Sequence, residues 1–407
     1  MIRLTTCFAL LFGASVLGAD LSERLQSGEF WEQSSQKAVI GLRHTRPDAG
    51  HVRIQSINIG ELTTGETIVT LKDDQPVMMQ AMLYNKGDDG TIDEESFNEK
   101  VTEARAAMDE MTGVKGKMRA IGRRDAAVKL KAWEWKWENG IARLEINASG
   151  KKKKFAAEFL RLNIACDAKT LSSGSASDSI SKTELKENIV TEEDGTVWLK
   201  NVPMVDQGQK GYCAPATIAR VFAFYGMEKV DQHTLADLCE SQGNGGTSTR
   251  DIEAAMKLIC KSYRTKFIVL EDYTTSITSF EGAYNKLAKR KKKAALAKTD
   301  PLGTADAEIL LECRAGKPNQ VNSWLRDIKK HIDAGSPVVW GVTVGIFPEE
   351  VSLPQSRGGH LRLIIGYNIK EKTIIFSDSW GAAHARKTMD ADKAVSITSG
   401  RYVIKLR

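Results

Sequence analysis

The sequence contains no pair of cysteines in a CxxC spacing and has only six cysteines and six histidines. A zinc site is poorly supported, since His44 and His51 also lack the cysteine or acidic partners that such a site needs. After residue 19, no apolar run reaches the roughly 18 residues of a membrane span. The formal charge of +6 is modest for 407 residues and alone gives no argument for nucleic acid. We therefore expect no cofactor, no metal, no nucleic-acid partner and no transmembrane span in the mature chain.

The chain begins with a short apolar leader. Arg3 supplies a positive start, residues 4–17 are largely apolar, and the small residues Gly18 and Ala19 suit a signal peptidase. Residues 1–19 are predicted to be a secretory signal peptide, and the mature chain to be soluble and either secreted or periplasmic. A leader that is retained as a membrane anchor is the alternative.

Residues 20–165 are predicted to form a separate α+β N-terminal domain of unknown role. Apolar residues at helical spacing favour a helix over 93–111. Alternating or apolar runs favour strands at four places: 51–57, 66–71, 78–84 and 155–164.

Two further strands, 133–137 and 141–146, flank Asn139-Gly140, which predicts a hairpin with a type I′ turn. The first of them carries three tryptophans on one face: Trp133, Trp135 and Trp137. We interpret this stripe as core rather than as a ligand platform.

Residues 166–195 are rich in Ser, Thr, Lys, Asp and Glu, and are predicted to be a polar linker because they cannot bury enough apolar area to order themselves. A linker is also a natural site for proteolytic nicking. One hypothesis is therefore that the N-terminal domain is a removable pro-domain that shields an active cleft. A permanent folding or targeting module is the alternative that we favour.

Residues 207–217 read as a glycine-rich loop that runs into a helix, with Cys213 in the first turn and Pro215 just after it. Unpaired backbone N–H groups and the positive end of the helix dipole favour a thiolate at this position. The helix continues through apolar residues at helical spacing to Gly226. A cysteine here is either a nucleophile or a small buried apolar residue.

Two later stretches favour the nucleophile. Residues 358–367 read as a loop that delivers His360 to the head of a buried strand, and residues 373–377 as the next strand, which ends at Asp378. The short connection predicts adjacent antiparallel strands on which His360 and Asp378 meet. A cysteine, a histidine and a side-chain acceptor in that order can act as nucleophile, base and orienting group.

Gln207 precedes Cys213 by six residues, with glycines at 208 and 211, and Asp378 opens the segment Asp378-Ser379-Trp380-Gly381. Together with His360, these motifs resemble the papain-like cysteine peptidases. The resemblance implies that Gln207 and the Cys213 N–H bind the oxyanion. It also implies that residues 196–407 form a two-lobed α+β fold, with a helical lobe and a twisted antiparallel sheet lobe.

Two departures narrow the resemblance. No tryptophan follows Cys213, and Asp378 stands where the family usually has asparagine. Both features, and the glycine-rich residues 245–248, are closer to the bacterial double-glycine (bacteriocin-processing) peptidases. No exporter domain follows in this sequence, so cleavage after a double glycine is not carried over.

Further elements are expected within residues 196–407. Strands are predicted at 197–202 and 337–344, and helices at three places: 231–240, 280–297 and 319–334. The lysines of the second helix are interpreted as a solvated face, with an acidic partner as the alternative. Four cysteines besides Cys213 remain in the mature chain and allow three pairings, none of which the sequence selects: Cys166, Cys239, Cys260 and Cys313.

The sequence thus predicts an exported cysteine peptidase that acts on protein or peptide substrates through Cys213, His360, Asp378 and Gln207. Another acyl-transfer enzyme on the same fold (a transpeptidase or amidase) and a non-catalytic peptide-binding module are the alternatives. His233, His331 and His384 are other candidate bases, but none is at the head of a predicted strand. His331 is expected to be exposed or at a rim of the predicted amphipathic helix.

Overall fold

A computed structural model describes residues 20–44, 50–121, 130–151, 154–173, 180–208, 211–227, 230–239, 247, 249–263 and 265–407. The predicted signal peptide lies outside these residues, as does most of the glycine-rich stretch 245–248. Every helix in the described part of the chain is too short or too polar to span a bilayer.

The N-terminal region, residues 20–166, is built around one antiparallel sheet in the order β1-β4-β5-β9-β8-β7-β6, with a small β2-β3 pair beside it. Its strands are β1 (His51–Ile54), β2 (Asn58–Ile59), β3 (Leu62–Thr63), β4 (Thr67–Lys72), β5 (Gln75–Asn85), β6 (Lys117–Ile121), β7 (Leu130–Trp137), β8 (Gly140–Lys151) and β9 (Lys154–Ala165). Its helices are α1 (Ser22–Ser27), α2 (Glu29–Glu32), α3 (Ser35–Ala38), α4 (Lys86–Asp89) and α5 (Glu94–Thr112).

The longest N-terminal helix, α5, follows the predicted pattern. Asp93 caps it by accepting a hydrogen bond from the Ser96 N–H, and Phe97 and Met108 are buried on the face toward the sheet. Trp135 is buried in the same core, and Trp133 and Trp137 pack against it half-buried. The interpretation of the tryptophan stripe as core is confirmed.

The predicted type I′ turn is wrong. Trp137 pairs with Gly140, so the turn residues are Glu138 and Asn139, and neither has a positive φ in the described chain. A type I′ turn needs positive φ at both central residues. Gly140 serves a packing role instead, because a Cβ there would collide with the Trp137 indole.

The segment predicted as an unordered linker contains α6 (Ala168–Ser173), α7 (Lys182–Glu187) and β10 (Ile189–Thr191). The expectation that residues 166–195 do not order themselves is therefore wrong over residues 168–173 and 181–191, whereas their role as a linker between two domains stays a prediction. Ser181 and Glu184 form a capping box that starts α7, and Leu185 is buried in the C-terminal core. Leu185 docks this polar helix together with Ile180 and Ile189, which flank it and pack half-buried against the same core.

The C-terminal region holds a second antiparallel sheet in the order β10-β11-β14-β13-β17-β12, with β15 paired to β14 and to β16. Its further strands are β11 (Val197–Leu199), β12 (Thr265–Glu271), β13 (Val338–Val344), β14 (Gly358–Asn368), β15 (Thr373–Ser377), β16 (Lys387–Asp390) and β17 (Thr398–Leu406). Its helices are α8 (Cys213–Phe224), α9 (Gln232–Leu238), α10 (Thr249–Ser262), α11 (Tyr273–Thr278), α12 (Glu281–Arg290), α13 (Ala307–Ala315), α14 (Pro318–Ile332) and α15 (Ala391–Ile397), with a 3₁₀ turn at Ala382–His384.

The predicted basic helix over 280–297 is too long. It ends at Arg290, and Lys292 takes a left-handed φ of 55°. Lys291 pairs with Glu308 at 2.7 Å and Lys293 with Asp306 at 2.9 Å. The charges of these two lysines are therefore balanced by carboxylates of the same chain at the surface.

His331 is buried, which corrects the expectation of a rim position. It lies three residues after Ile328 on the apolar face of α14, which packs against β14 and α15. Burial lowers the pKa of His331, and so does the nearby Lys405.

The buried apolar residues of the described chain fall into two large clusters, one under each sheet. This arrangement gives the mixed helix-and-sheet content of an α+β protein. The exact domain boundaries and the independence of each region stay predictions.

Candidate active site

Cys213 is the first residue of α8, and Tyr212 is its N-cap. Most side chains of the helix are buried, including Pro215, Ile218 and Val221, so the thiol is attached to a rigid element. Thr217, one turn later, donates a hydrogen bond of 2.9 Å to the Leu361 carbonyl and so ties α8 to β14 beside His360.

The Cys213 thiol and the His360 imidazole are close enough to shift each other's pKa. Burial raises the pKa of Cys213, but the neighbouring His360 ring stabilises the thiolate through its polar N–H group and its charge, so the thiol pKa is below its ordinary value. Burial lowers the pKa of His360, but the hydrogen bond to Asp378 and the neighbouring Cys213 sulfur raise it more. The opposite directions of the two shifts favour a thiolate–imidazolium pair.

Asp378 and Trp380 fix the imidazole from two sides. The predicted pairing of β14 with β15 is confirmed, with Leu363 opposite Ser377. His360 Nε2 lies 3.0 Å from Asp378 Oδ1. The other ring nitrogen, Nδ1, is buried and has no hydrogen-bond partner within the described residues, so it is the nitrogen available to the thiol. The Trp380 indole stacks on the imidazole with ring centroids 3.9 Å apart and planes 10° from parallel.

Asp378 belongs to a buried cluster of four charges. Arg362 Nε lies 2.8 Å from Asp378 Oδ1, and Lys387 pairs with Oδ2. Glu349 accepts from both cations, at 2.7 Å from Arg362 and 2.8 Å from Lys387. Burial raises the pKa of Asp378, but the hydrogen bond from His360 and the charges of Arg362 and Lys387 hold it well below its usual range.

Arg220 on α8 hydrogen-bonds to two segments of the site, the one before Gln207 and the one at the end of β15. Its guanidinium donates to the Pro203 carbonyl at 2.7 Å, to the Asp378 carbonyl at 2.8 Å, and to Ser377 Oγ. This buried arginine on α8 therefore links the segment before Gln207 to the end of β15.

Gln207 is buried and held at two points by Ser379. Its backbone N–H donates to the Ser379 carbonyl at 2.8 Å, and its Oε1 accepts from Ser379 Oγ at 2.7 Å. The second bond fixes the side-chain amide, because Oε1 is committed to Ser379 and Nε2 is the donor on the other side.

The other candidate bases lie in different surroundings. His233 packs against Tyr212 and Phe159, and His384 packs against Trp380 with Nδ1 3.4 Å from Lys387 Nζ. Burial and the Lys387 charge lower the pKa of His384. His331 lies in the core on α14.

Neither a disulfide nor a cluster of metal ligands is found among the described residues. The cysteines of the described residues are all free thiols. Within the same residues, no three or more His, Cys, Asp or Glu side chains are grouped as a metal site would need.

Five residues that surround the candidate triad were not predicted from the sequence. Arg362 had a readable signal, since it is two residues after His360 and shares its strand face. Ser379 and Trp380 belong to the segment Asp378-Ser379-Trp380-Gly381, but the sequence alone assigns no role to either residue. Glu349 and Lys387 had no signal, because they come from a loop and from the edge strand β16.

Comparison with known proteins gives one family match. Residues 312–403 match the Peptidase_C39 like family, a segment that contains His360 and Asp378 but neither Gln207 nor Cys213. No curated protein matches the chain. The family match supports a cysteine peptidase.

Similar solved structures include two bacterial proteins. Xylellain, a cysteine protease from Xylella fastidiosa, is 15% identical, with 57% of this chain and 91% of that chain covered and a TM-score of 0.29. A cysteine-rich secretory protein from Staphylococcus aureus is 9% identical, with 62% of this chain and 82% of that chain covered and a TM-score of 0.21.

Proposed function

We propose that this protein is an exported cysteine peptidase that hydrolyses peptide bonds through a Cys213–His360–Asp378 triad. The observation that supports it most is the convergence of three side chains from α8, β14 and the end of β15, with the thiol pKa lowered and the imidazole pKa raised. Export rests on the predicted leader. The relation to the double-glycine processing branch rests on the sequence around Cys213.

The proposed reaction is acyl transfer in two steps. The Cys213 thiolate attacks the peptide carbonyl, and the His360 imidazolium protonates the leaving amine as the C–N bond breaks. Water then attacks the thioester, giving its proton to His360, and releases the acid and the thiolate. Asp378 orients the ring of His360, and the Gln207 amide and the Cys213 N–H stabilise the oxyanion in both steps.

The pH dependence follows from the two shifts. The active pair requires a thiolate and an imidazolium, so kcat/KM should be bell-shaped, rising through the lowered pKa of Cys213 and falling through the raised pKa of His360. The acid limb is thus expected below the ordinary thiol pKa of about 8.5, and the alkaline limb above the ordinary histidine pKa of about 6.5. Initial rates on a peptide library substrate across pH provide the measurement. A flat profile would contradict the scheme.

Gln207→Ala is expected to lower kcat by about 10²–10³-fold, which is the usual cost of one oxyanion donor. Ser379→Ala should have a smaller effect in the same direction, because Gln207 keeps its amide but loses the bond that orients it. Steady-state kinetics of both variants measure this order. Equal activity of Gln207→Ala and wild type would remove Gln207 from the mechanism.

The class of enzyme is tested by labelling and product analysis. A thiol-directed epoxide should add its mass to Cys213, and a peptide library should yield hydrolysed products. Ligation to an added amine in preference to water would assign a transpeptidase instead. Binding of peptides without labelling or turnover would assign a binding module.

A further inference from the structure

The N-terminal sheet contacts the C-terminal region beside the candidate site. Arg161 on β9 pairs with Asp231, the N-cap of α9, at 3.1 Å, and with Glu145 on β8 at 2.6 Å. Asn147 donates to Asp237 on the same helix at 3.1 Å. These contacts are polar, and the Glu145–Arg161 pair at their centre is buried.

A second contact reaches the residue before Gln207. Arg53 on β1 donates to the Asp206 carbonyl at 2.7 Å and lies 3.7 Å from the Asp206 carboxylate. Glu66 holds the same guanidinium at 2.7 Å, so Arg53 is braced within the N-terminal sheet. The Asp206 carboxylate accepts in turn from the Gly208 N–H at 2.9 Å. Asp206 therefore links Arg53 to Gly208, and Gln207 lies between Asp206 and Gly208 in the chain.

A third contact reaches the residue before Cys213. The Tyr212 ring is fully buried, and it lies so close to the Gly87 backbone that a Cβ on Gly87 would be 2.7 Å from Tyr212 Cζ. The Tyr212 ring also lies against His233, with ring centroids 5.8 Å apart. The peptide that joins Tyr212 to Cys213 carries the proposed backbone oxyanion donor.

We propose that the N-terminal region is a permanent positioning element of the oxyanion site, holding the residue that precedes each of its two donors. Arg53 fixes Asp206 next to Gln207, and Gly87 receives the Tyr212 ring next to the Cys213 N–H. This inference rests on the proposed peptidase function and deepens it. Arg53 and Gly87 are positioning residues, since they act through Asp206 and Tyr212.

The contacts reach the residues before the two oxyanion donors, so their loss should affect the donors more than the thiol. Donor geometry at an oxyanion site matters steeply, and a misplacement of about 1 Å can cost about 10²-fold in rate. The thiolate–imidazolium pair depends instead on the side chains of Cys213, His360 and Asp378. The contacts described above reach Tyr212, the N-cap residue of α8, and Asp206, and they do not involve those three side chains. Loss of the N-terminal contacts should therefore impair acylation while sparing the reactivity of the thiol.

Two full-length variants test the inference, each with a matched control. Arg53→Ala is compared with Arg143→Ala. The Arg143 guanidinium is equally half-buried, and within the described residues it pairs with Glu134 on the same sheet and not with the C-terminal region. Gly87→Ala is compared with Gly282→Ala, where a Cβ meets open space. Neither Gly87 nor Gly282 has a positive φ, so the backbone itself accepts alanine at both positions.

Three readouts separate the outcomes. For Arg53→Ala and Gly87→Ala we expect kcat to fall by about tenfold to a hundredfold with KM changed less. Inhibition by a peptide aldehyde, whose hemithioacetal oxygen needs the oxyanion donors, should weaken in parallel. Alkylation of Cys213 by iodoacetamide, which needs no oxyanion site, should keep its rate and its pH profile. The two control variants should match wild type in all three.

Other results would overturn the inference. Unchanged kcat in both variants would mean that the Arg53 and Gly87 contacts do not position the oxyanion donors. Increased activity would show an inhibitory pro-domain instead, and an equal loss of alkylation would place the defect in the thiol pair or in folding. Full activity of Cys213→Ala is a separate result, which would remove the proposed function itself.

Discussion

Replacing Cys213 with alanine is expected to abolish measurable peptide hydrolysis, with a loss of the order of 10⁶-fold in kcat, as when the nucleophile of another hydrolase triad is removed. The reason is that the sulfur forms the covalent bond to the acyl group, and neither His360 nor the oxyanion donors can replace it. Steady-state rates, with intact mass measurement after exposure to a thiol-directed epoxide, provide the test.

Cys313→Ala is the matched control for this variant. Cys313 is also a half-buried free thiol of the C-terminal region, but burial and the Glu312 charge raise its pKa. The control should keep full activity and should still be labelled at Cys213. Hydrolysis that survives in Cys213→Ala, or an epoxide adduct on Cys313 in the wild type, would argue against Cys213 as nucleophile.

Asp378→Asn is expected to impair both stability and catalysis, although asparagine is the usual residue of the papain-like family here. Among the described residues, the substitution leaves the buried cations Arg362 and Lys387 with Glu349 as their remaining acidic partner. Removing one partner from a buried ion pair typically costs about 3–5 kcal/mol in free energy of unfolding. The His360 pKa should fall as well, which moves the alkaline limb of the activity profile to lower pH.

The sign of the pH effect on stability is also fixed. Because the native pKa of Asp378 is lowered, its contribution is fully present above the ordinary aspartate pKa of about 4 and is lost as pH falls through the native value. The difference in unfolding free energy between wild type and Asp378→Asn should therefore shrink in acid, as the native carboxylate is protonated. It should also decline as pH rises through the raised pKa of His360 in the wild type, because that ring loses the charge that Asp378 stabilises. Urea unfolding at several pH values measures it.

Two further variants make this result specific. Asp390→Asn breaks an exposed pair with Lys393 at 2.6 Å and should cost no more than about 1 kcal/mol. Adding Lys387→Met to Asp378→Asn removes a surplus buried cation and should recover part of the lost stability. If Asp378→Asn is as stable as Asp390→Asn, the buried cluster does not depend on its central carboxylate.

The elements that hold the proposed triad could be predicted because each has a strong local pattern. Cys213 follows a glycine-rich loop and precedes an apolar helical repeat, and His360 opens a run of buried strand residues. Gln207 required the spacing known from a family, since an isolated glutamine in a loop has no signal of its own. The site was thus predictable where local pattern and family spacing coincide.

The remaining features depend on contacts that local patterns do not encode. Ser181 and Glu184 match the S-x-x-E pattern of a capping box, a signal that the polar composition used to predict a linker does not contain. Glu349 and Lys387 acquire their role only when a loop and an edge strand close over Asp378. Arg53 and Gly87 are ordinary residues in sequence, and only the packing of the two regions brings them to Asp206 and Tyr212.

The most direct measurement is the rate of iodoacetamide alkylation at each cysteine as a function of pH, followed by peptide mass mapping. The pKa values of Cys166, Cys260 and Cys313 are raised, and burial raises that of Cys239 to about 12, so these thiols serve as internal references. If Cys213 and His360 form an ion pair, Cys213 alone should react fast near pH 6 and lose that advantage in His360→Ala. A Cys213 rate that rises only above pH ~8, in step with the other thiols, would contradict the proposed mechanism.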